Sequence, residues 1–314
     1  MAWQVVRVSG VNPTDWKTRA GNSRIAPIDA PELTPNLDGA GVIDAVGPGV
    51  DGLAPGDRVW VYLAAHGRPT GTAQEYTVIP AERAVRLPDN AGFEVGASLG
   101  VPAMTAHRAL TVAEDGPQRL EPGALAGRTV LVAGGAGAVG HATIQLARWA
   151  GATVIATISG PAKAALATAA GAHHVVNYRE GNPAAAIRAV APDGVDVVAE
   201  VAPAANLPLD LAVIRTRGTI AAYASDGGSS LTLEVGPNMV LNTRLQFLLL
   251  YTVGDEILNA GTADITAALR DGALPVGAEH GLPLHRFALA DTAAAHDAVE
   301  AGVVGKVLID VAQP

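Results

Sequence analysis

The sequence contains no cysteine, and this absence excludes several kinds of chemistry. There can be no disulfide, no thiolate nucleophile and no zinc site with cysteine ligands, although histidine and carboxylate ligands for zinc stay possible in principle. Basic residues are also scarce, because 21 Lys and Arg stand against 30 Asp and Glu, giving a net charge of −9. Such a chain repels nucleic acid and anionic membranes unless it carries a basic patch, and the sequence shows none.

Long hydrophobic runs are missing as well. The stretch FLLLYTV (247–253) is far too short to cross a bilayer. The first residues, MAWQVVRVSG, alternate like a strand and lack the apolar core of a signal peptide. Hydrophobic residues nevertheless make up 49% of the chain, so we expect a packed globular protein. Because neither a membrane span nor a signal peptide is predicted, we expect it to be cytoplasmic.

The first third of the chain has the composition of a β-rich domain. Short β-branched runs are separated by Gly, Pro and Asp, as in VVRVSG (5–10), GDRVWVYL (56–63) and AQEYTVIP (73–80). This pattern predicts a small barrel or an irregular sheet. Residues 96–113 are predicted to form a helix interrupted at Pro102.

Beyond residue 128, strands and helices alternate. TVLVAGG (129–135) is apolar throughout, as expected of a buried parallel strand, and AVGHATIQLARWAGA (138–152) is predicted to form the next helix. Further strand–helix pairs follow, ending with the predicted strand LQFLLLYTV (245–253) and a helix over 255–271. This alternation predicts an α/β fold with a doubly wound parallel sheet. The C-terminal strand GKVLIDV is expected to rejoin the β-rich region.

A glycine-rich loop lies between the first strand and first helix of this second region. Gly135, Gly137 and Gly140 have the G-x-G-x-x-G spacing of dinucleotide-binding loops. The spacing alone is weak evidence, since an ordinary strand–helix turn can also be rich in glycine. Because a strand, a loop, a helix and a second strand occur in the expected order, we favour a site for a cofactor pyrophosphate.

The acid that usually selects NAD is missing. An NAD site places Asp or Glu about 20 residues after the loop, but no acid occurs between His141 and Arg179. Ser159, Lys163 and Tyr178 stand in this region instead, and a hydroxyl, an ammonium and a phenol suit a 2′-phosphate. Each residue also has an ordinary structural interpretation, such as Ser159 capping a helix. Taken together with the missing acid, they favour NADP over NAD.

Several longer motifs point to one family. They are GVNPTDWKTRAG (10–21), LDGAGVIDAVGPGVDGLAPGDRVW (37–60), GVPAMTAHRAL (100–110), VLVAGGAGAVG (130–140) and EVAPAANL (200–207). With them the chain resembles the zinc-free medium-chain dehydrogenase/reductases of the quinone oxidoreductase, or zeta-crystallin-like, family. The resemblance implies a GroES-like catalytic domain (1–100 and 255–314) and a Rossmann NADP-binding domain (101–254). It also implies NADPH and a homodimer or homotetramer.

The resemblance assigns cofactor contacts residue by residue. The phosphate loop would comprise Ala136, Gly137, Ala138, Val139 and Gly140, and the 2′-phosphate region Ser159, Lys163 and Tyr178. Asn206 matches a cofactor-contacting asparagine. Tyr223, Ala224 and Ser225 would approach the ribose and nicotinamide, and the backbone of Phe247, Leu248 and Leu249 would bind the carboxamide. The last three residues are also interpreted as a buried strand, and both interpretations can hold together.

The chain also departs from the family pattern. Zinc-dependent relatives place ligands near the positions held here by Asn12 and Leu37, and neither residue can serve, so no metal is expected. Lys17 stands where the zeta-crystallin branch has a tyrosine. The segment NPTDWK (12–17) resembles alkenal reductases and enoyl reductases instead, so the substrate is left open. The family also has a strand pair before the segment matching QVVRVSG, so the start is either truncated or built differently.

The implied reaction is hydride transfer from NADPH to a quinone or an α,β-unsaturated carbonyl. Asn12 is the first candidate for orienting nicotinamide or substrate, Lys17 for donating to the substrate oxygen or supplying the proton, and Thr105 for contacting nicotinamide or substrate. Each has a structural alternative: a turn residue, a solvated lysine and a helix hydroxyl. Two other functions stay open, an enoyl-thioester reductase working with a polyketide or fatty-acid synthase, and a non-catalytic structural or RNA-binding protein.

Overall fold

A computed structural model of the protein describes residues 1–22 and 29–311. The chain divides into two compact units. The first contains Met1–Pro102, Leu269–Gly277 and the segment from Pro283 onward, and the second contains Ala103–Ala268 and Ala278–Leu282. Residues 255–268 therefore group with the second unit, whereas the sequence-based boundary groups them with the C-terminal segment. The contacts that join this segment to the second unit include those of a buried carboxylate, Asp264, which is hydrogen-bonded to residues 107, 119 and 120.

The first unit is built on one largely antiparallel sheet, as the β-rich composition predicts. Its strand order is β12-β13-β1-β2-β3-β5, with β4 paired to β1, and only β12 and β13 run parallel. C-terminal β13 pairs with β1, so the chain does return to this sheet. The strands are β1 (Ala2–Val11), β2 (Asp38–Val46), β3 (Arg58–Val61), β4 (Tyr76–Ile79), β5 (Ala84–Arg86), β12 (Leu284–Ala288) and β13 (Lys306–Asp310).

Helices cover parts of this sheet. Two clusters of buried side chains lie in this unit. One includes Ile43, Val59 and Ile79, and the other includes Val11, Val307 and Ile309. The second cluster packs against α10 through Ala295. The helices of the unit are α1 (Pro13–Arg19), α2 (Phe93–Gly96), the start of α3 (Gly100–Leu110) and α10 (Thr292–Glu300).

The second unit contains the predicted parallel sheet. Its strand order is β11-β10-β9-β6-β7-β8, and every pair is parallel. The chain starts at β6, moves to β7 and β8, then returns to β9 on the other side, so the switch point lies between β6 and β9. The strands are β6 (Thr129–Ala133), β7 (Thr153–Ile158), β8 (His174–Asn177), β9 (Val195–Glu200), β10 (Ile214–Ala222) and β11 (Arg244–Phe247).

Helices connect these strands. They are α4 (Ala138–Trp149), α5 (Pro161–Ala169), α6 (Pro183–Val190), α7 (Pro203–Val213), α8 (Val235–Leu241) and α9 (Asp255–Arg270). The four helices α4 to α7 follow strands of the sheet as the alternating pattern predicts. In the described part of the chain, no helix has both the length and the apolar character needed to cross a membrane.

Two local predictions were wrong. Helix α3 runs unbroken through Pro102, because the proline occupies its third position, where the missing N–H has no intrahelical partner to lose. The last predicted strand, 245–253, is much shorter, since β11 ends at Phe247 and a 3-10 helix follows at Leu250–Thr252. Leu248, directly after β11, is 8% exposed, and its N–H makes one more bond to β10, donating to Ala222 O at 2.8 Å.

Candidate cofactor and active site

The glycine loop lies at the carboxyl end of β6, immediately before α4. Gly135 and Gly140 are required by packing. A Cβ on Gly135 would stand 2.8 Å from Ala156 Cβ, and one on Gly140 would stand 2.4 Å from Gly134 O. Gly134 itself has φ +71, a left-handed conformation that favours glycine. These glycines therefore shape a tight strand–helix turn.

Gly137 serves a different purpose. It is exposed, and the contact that its Cβ would make is an ordinary one of 3.4 Å with Gly134 O. It is the N-cap of α4, whose first N–H groups, those of Ala138, Val139 and Gly140, have no partner within the helix. A side chain at 137 would fill the space in front of these donors, which is the space a pyrophosphate needs. The loop thus fits the phosphates of a dinucleotide, while Ala136 is buried behind it, 3% exposed.

Ser159, Lys163 and Tyr178 come from the two strands beside the loop. Ser159 directly follows β7, Lys163 lies in the first turn of α5, and Tyr178 directly follows β8, with its N–H donating to Ile158 O at 3.0 Å. Because β6, β7 and β8 are adjacent and parallel, all three residues belong to the same edge of the sheet as the glycine loop. Lys163 and Tyr178 are exposed. Gly160, not Ser159, is the N-cap of α5, so the capping interpretation of Ser159 was wrong.

Asn206 is held by a buried glutamate at the carboxyl end of β9. Its Nδ2 donates to Glu200 Oε1 at 3.0 Å, and the Ala202 N–H donates to the same oxygen. Asp210, on α7, lies close enough to Glu200 for the two carboxyl groups to influence each other's pKa. Burial, together with the charge of Glu200, raises the pKa of Asp210 well above its ordinary value, and burial also raises the pKa of Glu200. The raised pKa of Asp210 favours its protonated form beside Glu200.

The other predicted cofactor residues of this unit follow β10 and β11. Tyr223, Ala224 and Ser225 come directly after β10, and Tyr223 N donates to Glu200 O at 3.0 Å. Burial raises the pKa of the Tyr223 hydroxyl, with Glu200 and Asp226 adding to the effect. Phe247 is 62% exposed, so the interpretation of residues 247–249 as a buried strand was wrong. Leu248 is buried and Leu249 is half-buried.

In the first unit, Asn12 ends β1 and begins α1. It is the N-cap of α1, and its N–H donates to Asp15 Oδ2 at 2.7 Å in a capping box. The carboxamide is only 2% exposed and is engaged at both ends. Its Nδ2 donates to Asp38 Oδ2 at 2.7 Å, and its Oδ1 accepts from Lys306 Nζ at 2.7 Å. The interpretation of Asn12 as a simple turn residue is therefore incomplete.

Two acids surround this asparagine. Burial and, to a smaller extent, the nearby Asp38 raise the pKa of Asp15 to about 7, while backbone hydrogen bonds and the charge of Lys306 act to lower it. Burial likewise raises the pKa of Asp38, opposed by Lys306, Asn12 and the Val101 N–H. Lys17, on the same helix α1, is half-buried, with its Nζ 5.6 Å from the centroid of the Trp16 ring. Lys17 and Asn12 are thus grouped at one end of the first sheet.

Thr105 lies in the second unit, on α3, and is 8% exposed. Two residues further along α3, His107 Nε2 contacts Asp264 Oδ2 at 2.8 Å. Burial acts to raise the pKa of Asp264, but hydrogen bonds from His107, Arg119 and the Leu120 N–H outweigh it and lower the pKa to about 2. This cluster joins α3 to α9.

Comparison with known proteins decides the family. Residues 5–89 match the alcohol dehydrogenase GroES-like domain, and residues 138–265 match the zinc-binding dehydrogenase family. The quinone oxidoreductase of Rattus norvegicus is 32% identical over 309 residues, which is 97% of this chain and 87% of the rat protein. The chain belongs to the quinone oxidoreductase family of medium-chain reductases. Like that family, it is an oxidoreductase that uses a nicotinamide cofactor.

Two further proteins are similar to this chain over most of its length. The 2-haloacrylate reductase of a Burkholderia species is 30% identical over 290 residues, or 91% of this chain and 83% of that protein. A mycobacterial protein whose structure was solved in complex with NADPH is 28% identical, with a TM-score of 0.79 over 98% of this chain and 90% of the other.

The name zinc-binding dehydrogenase applies to the wider family. Within residues 1–22 and 29–311 of this quinone oxidoreductase relative, no group of three or more His, Asp or Glu side chains could hold a metal ion. The carboxamide of Asn12 is already bonded to Asp38 and Lys306. That the protein works without zinc stays a prediction.

Sequence reasoning missed four buried ionisable residues of these sites: Asp38, Lys306, Glu200 and Asp210. The signals were present. Lys306 begins an apolar strand that reads KVLID, and Glu200 ends one that reads VDVVAE. A charged residue in an apolar strand is expected to have a buried partner. Only the structure identifies which partner each one has.

Proposed function

We propose that the protein is an NADPH-dependent reductase that transfers hydride to a quinone or an α,β-unsaturated carbonyl. The observation that carries this proposal is the carboxyl edge of β6, β7 and β8. There Gly137 leaves space in front of the helix α4 N-terminus, and Ser159, Lys163 and Tyr178 follow the next two strands. The first acid after the loop in the sequence, Glu180, accepts a hydrogen bond from Asn177 at 2.5 Å. The edge therefore offers donors and a cation to a 2′-phosphate.

The remaining cofactor contacts are proposed from the family pattern. Backbone groups of Ala136 to Gly140 bind the pyrophosphate, and Ser159, Lys163 and Tyr178 bind the 2′-phosphate. Asn206, Tyr223, Ala224 and Ser225 bind the ribose and nicotinamide side, and the backbone of Phe247, Leu248 and Leu249 binds the carboxamide. Asn206 is supported by its fixed orientation, because the bond from its Nδ2 to Glu200 leaves Oδ1 as the acceptor for a cofactor hydroxyl.

The bound cofactor supplies a hydride, and the chain supplies orientation and a proton. For an enone, hydride reaches the β-carbon, negative charge develops on the carbonyl oxygen, and a proton is added at the α-carbon. We propose that Asn12 donates to the substrate, that Lys17 stabilises the developing oxyanion or delivers the proton, and that Thr105 contacts nicotinamide or substrate. For a quinone, the same hydride and a proton give the hydroquinone.

A panel of substrates tests the reaction. Oxidation of NADPH is followed with naphthoquinones, alkenals, haloacrylates and enoyl thioesters. We expect turnover with a quinone or a conjugated carbonyl, since similar proteins include a quinone oxidoreductase and a 2-haloacrylate reductase. Turnover confined to enoyl thioesters would favour the synthase-associated alternative. Tight NADPH binding without turnover in any class would favour the structural or RNA-binding alternative and contradict the proposal.

Cofactor preference is tested separately. We expect kcat/KM to be at least about tenfold higher with NADPH than with NADH, corresponding to about 1.4 kcal/mol. Lys163→Ala should reduce the preference by weakening NADPH alone, and Ser159→Asp should reduce it further through repulsion of the 2′-phosphate. Arg86→Ala is the matched control, because Arg86 is an exposed cation of the first unit that pairs with Asp57. Equal use of both cofactors by the unmodified protein would contradict this assignment.

We further propose that the protein forms a homodimer or homotetramer through the β11 edge of the parallel sheet. β11 ends the strand order, and large apolar side chains are exposed on it and on α8: Val235 71%, Met239 70%, Val240 77% and Phe247 62%. An edge strand beside an apolar helix favours pairing with an identical edge. Light scattering of Met239→Glu against the unmodified protein tests this, and an unmodified protein that is monomeric at micromolar concentration would contradict it. The cytoplasmic location stays a prediction.

A further inference from the structure

We infer that Lys306 is a positioning residue for the reaction, acting through the carboxamide of Asn12. This inference rests on the proposed role of Asn12 toward the substrate. Lys306 is separated from Asn12 by 294 positions in the chain, and its Nζ donates to Asn12 Oδ1 at 2.7 Å. The contact follows from the strand register. Val11 pairs with Val307 in the antiparallel β1–β13 ladder, so the next step places Lys306 opposite Asn12.

The contacts define which way the carboxamide faces. A lysine ammonium only donates, so the atom beside Lys306 must be the oxygen of Asn12. The other end, Nδ2, donates to Asp38 Oδ2 at 2.7 Å. Asp38 acts as an acceptor throughout, since the Val101 N–H donates to both of its oxygens at 2.9 Å. Lys306 and Asp38 together therefore fix one orientation of the carboxamide. If the amide were reversed, its NH2 group would face the ammonium of Lys306 and its oxygen would face the carboxylate of Asp38.

This orientation has a chemical consequence. Nδ2 carries two hydrogens, and Asp38 is the acceptor that the described residues provide for it. The second N–H is the donor that Asn12 can offer to a substrate oxygen. Without Lys306, the oxygen of the amide would lose its charged partner, and the side chain could rotate away from that geometry. A preorganised donor is worth more to a developing oxyanion than one that must first be oriented.

The surroundings are shaped for this arrangement. Lys306 is 1% exposed, and its Nζ also donates to Val11 O at 3.1 Å and lies 3.8 Å from Asp38 Oδ2. A Cβ on Gly10 would stand 3.2 Å from Lys306 Cε and 2.1 Å from Ala97 O. A Cβ on Gly100 would stand 2.0 Å from Asp38 Oδ1. Two glycines thus leave room for the lysine and the carboxylate that hold Asn12.

A double-mutant cycle in kcat tests the inference on the full chain with NADPH and the best substrate of the panel. We expect Asn12→Ala to lower kcat about a hundredfold, as loss of an oxyanion donor does elsewhere. Lys306→Met should lower kcat by about tenfold to a hundredfold, with a smaller effect on KM. In the Asn12→Ala background, Lys306→Met should change kcat by less than about threefold, because the group through which it acts is gone. Lys306→Gln, which keeps a donor near Asn12 Oδ1, should retain more activity than Lys306→Met.

Asp264→Asn is the control for a general loss of stability, since it disturbs a buried ion pair on α3 and α9. It should lower the unfolding temperature without lowering kcat below that temperature. Equal effects of Lys306→Met on kcat in both backgrounds would mean a purely structural role and would overturn the inference. An Asn12→Ala variant with unchanged kcat would overturn it too, while leaving the reductase assignment intact.

A measurement without turnover separates failure of the inference from failure of the proposed function. In protein labelled with 15N-asparagine, the side-chain resonances of Asn12 are identified by their loss in Asn12→Ala. We expect slow hydrogen exchange of the Asn12 amide in the unmodified protein and in Asp264→Asn. Exchange should be at least about tenfold faster in Lys306→Met, because the carboxamide is no longer fixed, and should be accelerated less in Lys306→Gln, which keeps a donor near Asn12 Oδ1. Unchanged exchange in both Lys306 variants overturns the inference even if no substrate is found.

Discussion

Each unit buries an acid that holds an asparagine, but the two acids are neutralised differently. In the first unit, Asp38 accepts from Asn12 and lies 3.8 Å from the ammonium of Lys306. In the second unit, Glu200 accepts from Asn206 and faces a second acid, Asp210. The first acid lies beside a lysine, and the second beside an acid whose raised pKa favours its protonated form. Similar amide geometry is therefore reached through opposite electrostatic means.

A third buried acid shows that the partners, and not the unit, determine the outcome. Asp264 belongs to the second unit, as Asp210 does, and both side chains are almost fully buried. Asp264 receives hydrogen bonds from His107, Arg119 and a backbone N–H, and its pKa falls to about 2 despite burial. Asp210 meets another acid, and its pKa rises. A buried carboxyl group follows its nearest charged or donating neighbours.

The largest expected effect comes from removing the lysine. Lys306→Met leaves Asp38 buried without its cation, and breaking a buried pair in this way costs about 3–5 kcal/mol in the free energy of unfolding. Urea denaturation measures this change. Lys163→Met is the matched control, because Lys163 is exposed and its loss should change stability by less than about 0.5 kcal/mol.

The cause of that loss can be isolated. If the uncompensated charge of Asp38 destabilises Lys306→Met, then adding Asp38→Asn should restore part of the stability, because the remaining buried group is neutral. A double variant as unstable as the sum of the two single changes would mean that packing, and not charge balance, explains the effect. The comparison between the two units would then lose its electrostatic basis.

The second expected effect concerns acid. The pKa of Asp264 is lowered to about 2 in the folded protein, against about 3.9 in an unfolded chain. Ionised Asp264 therefore stabilises the folded protein above about pH 3.9. This stabilisation is lost as the pH falls toward 2, because the carboxylate becomes protonated in the folded protein as well. The difference corresponds to about 2–3 kcal/mol. Asp264→Asn should therefore be less stable by about that amount at neutral pH, with the gap closing in acid.

Urea denaturation across this pH range measures the gap. Asp297→Asn provides a control, since Asp297 pairs with Arg19 at the surface, 66% exposed, and such pairs contribute little. A gap between Asp264→Asn and the unmodified protein that is constant with pH would show that shape, not charge, makes Asp264 important.

The sequence predicted the features that depend on local pattern. Alternating strands and helices gave the parallel sheet, because each strand and helix buries its own apolar residues. The spacing of Gly135, Gly137 and Gly140 predicted the loop. It could not show that Gly135 and Gly140 are required by packing, whereas Gly137 leaves space in front of the helix. That distinction depends on neighbours such as Ala156, which lies on the adjacent strand.

The remainder depends on contacts far apart in the chain. Asn12 was singled out from its motif, yet the residues that orient it, Asp38 and Lys306, are 26 and 294 positions away. Only strand register brings them together. The pair Glu200 and Asp210 is closer in sequence, but whether two acids repel or share a proton depends on burial that no local pattern encodes. Phe247 was misjudged for a related reason, because β11 is an edge strand and its end is exposed.

The smallest expected effect has the opposite sign to the others. The pKa of Asp210 is raised in the folded protein, so its contribution to stability is complete below about pH 3.9 and declines as the pH rises toward the folded pKa. Asp210→Asn mimics the protonated acid and can donate to Glu200 at any pH. It should therefore stabilise the protein at neutral pH by about 1 kcal/mol, and by less as the pH falls. Asp193→Asn, at an exposed acid of the same unit, should leave stability nearly unchanged. A destabilised Asp210→Asn at every pH would mean that a neutral group at this position does not explain the packing against Glu200, and the contrast with the lysine-balanced Asp38 would fail.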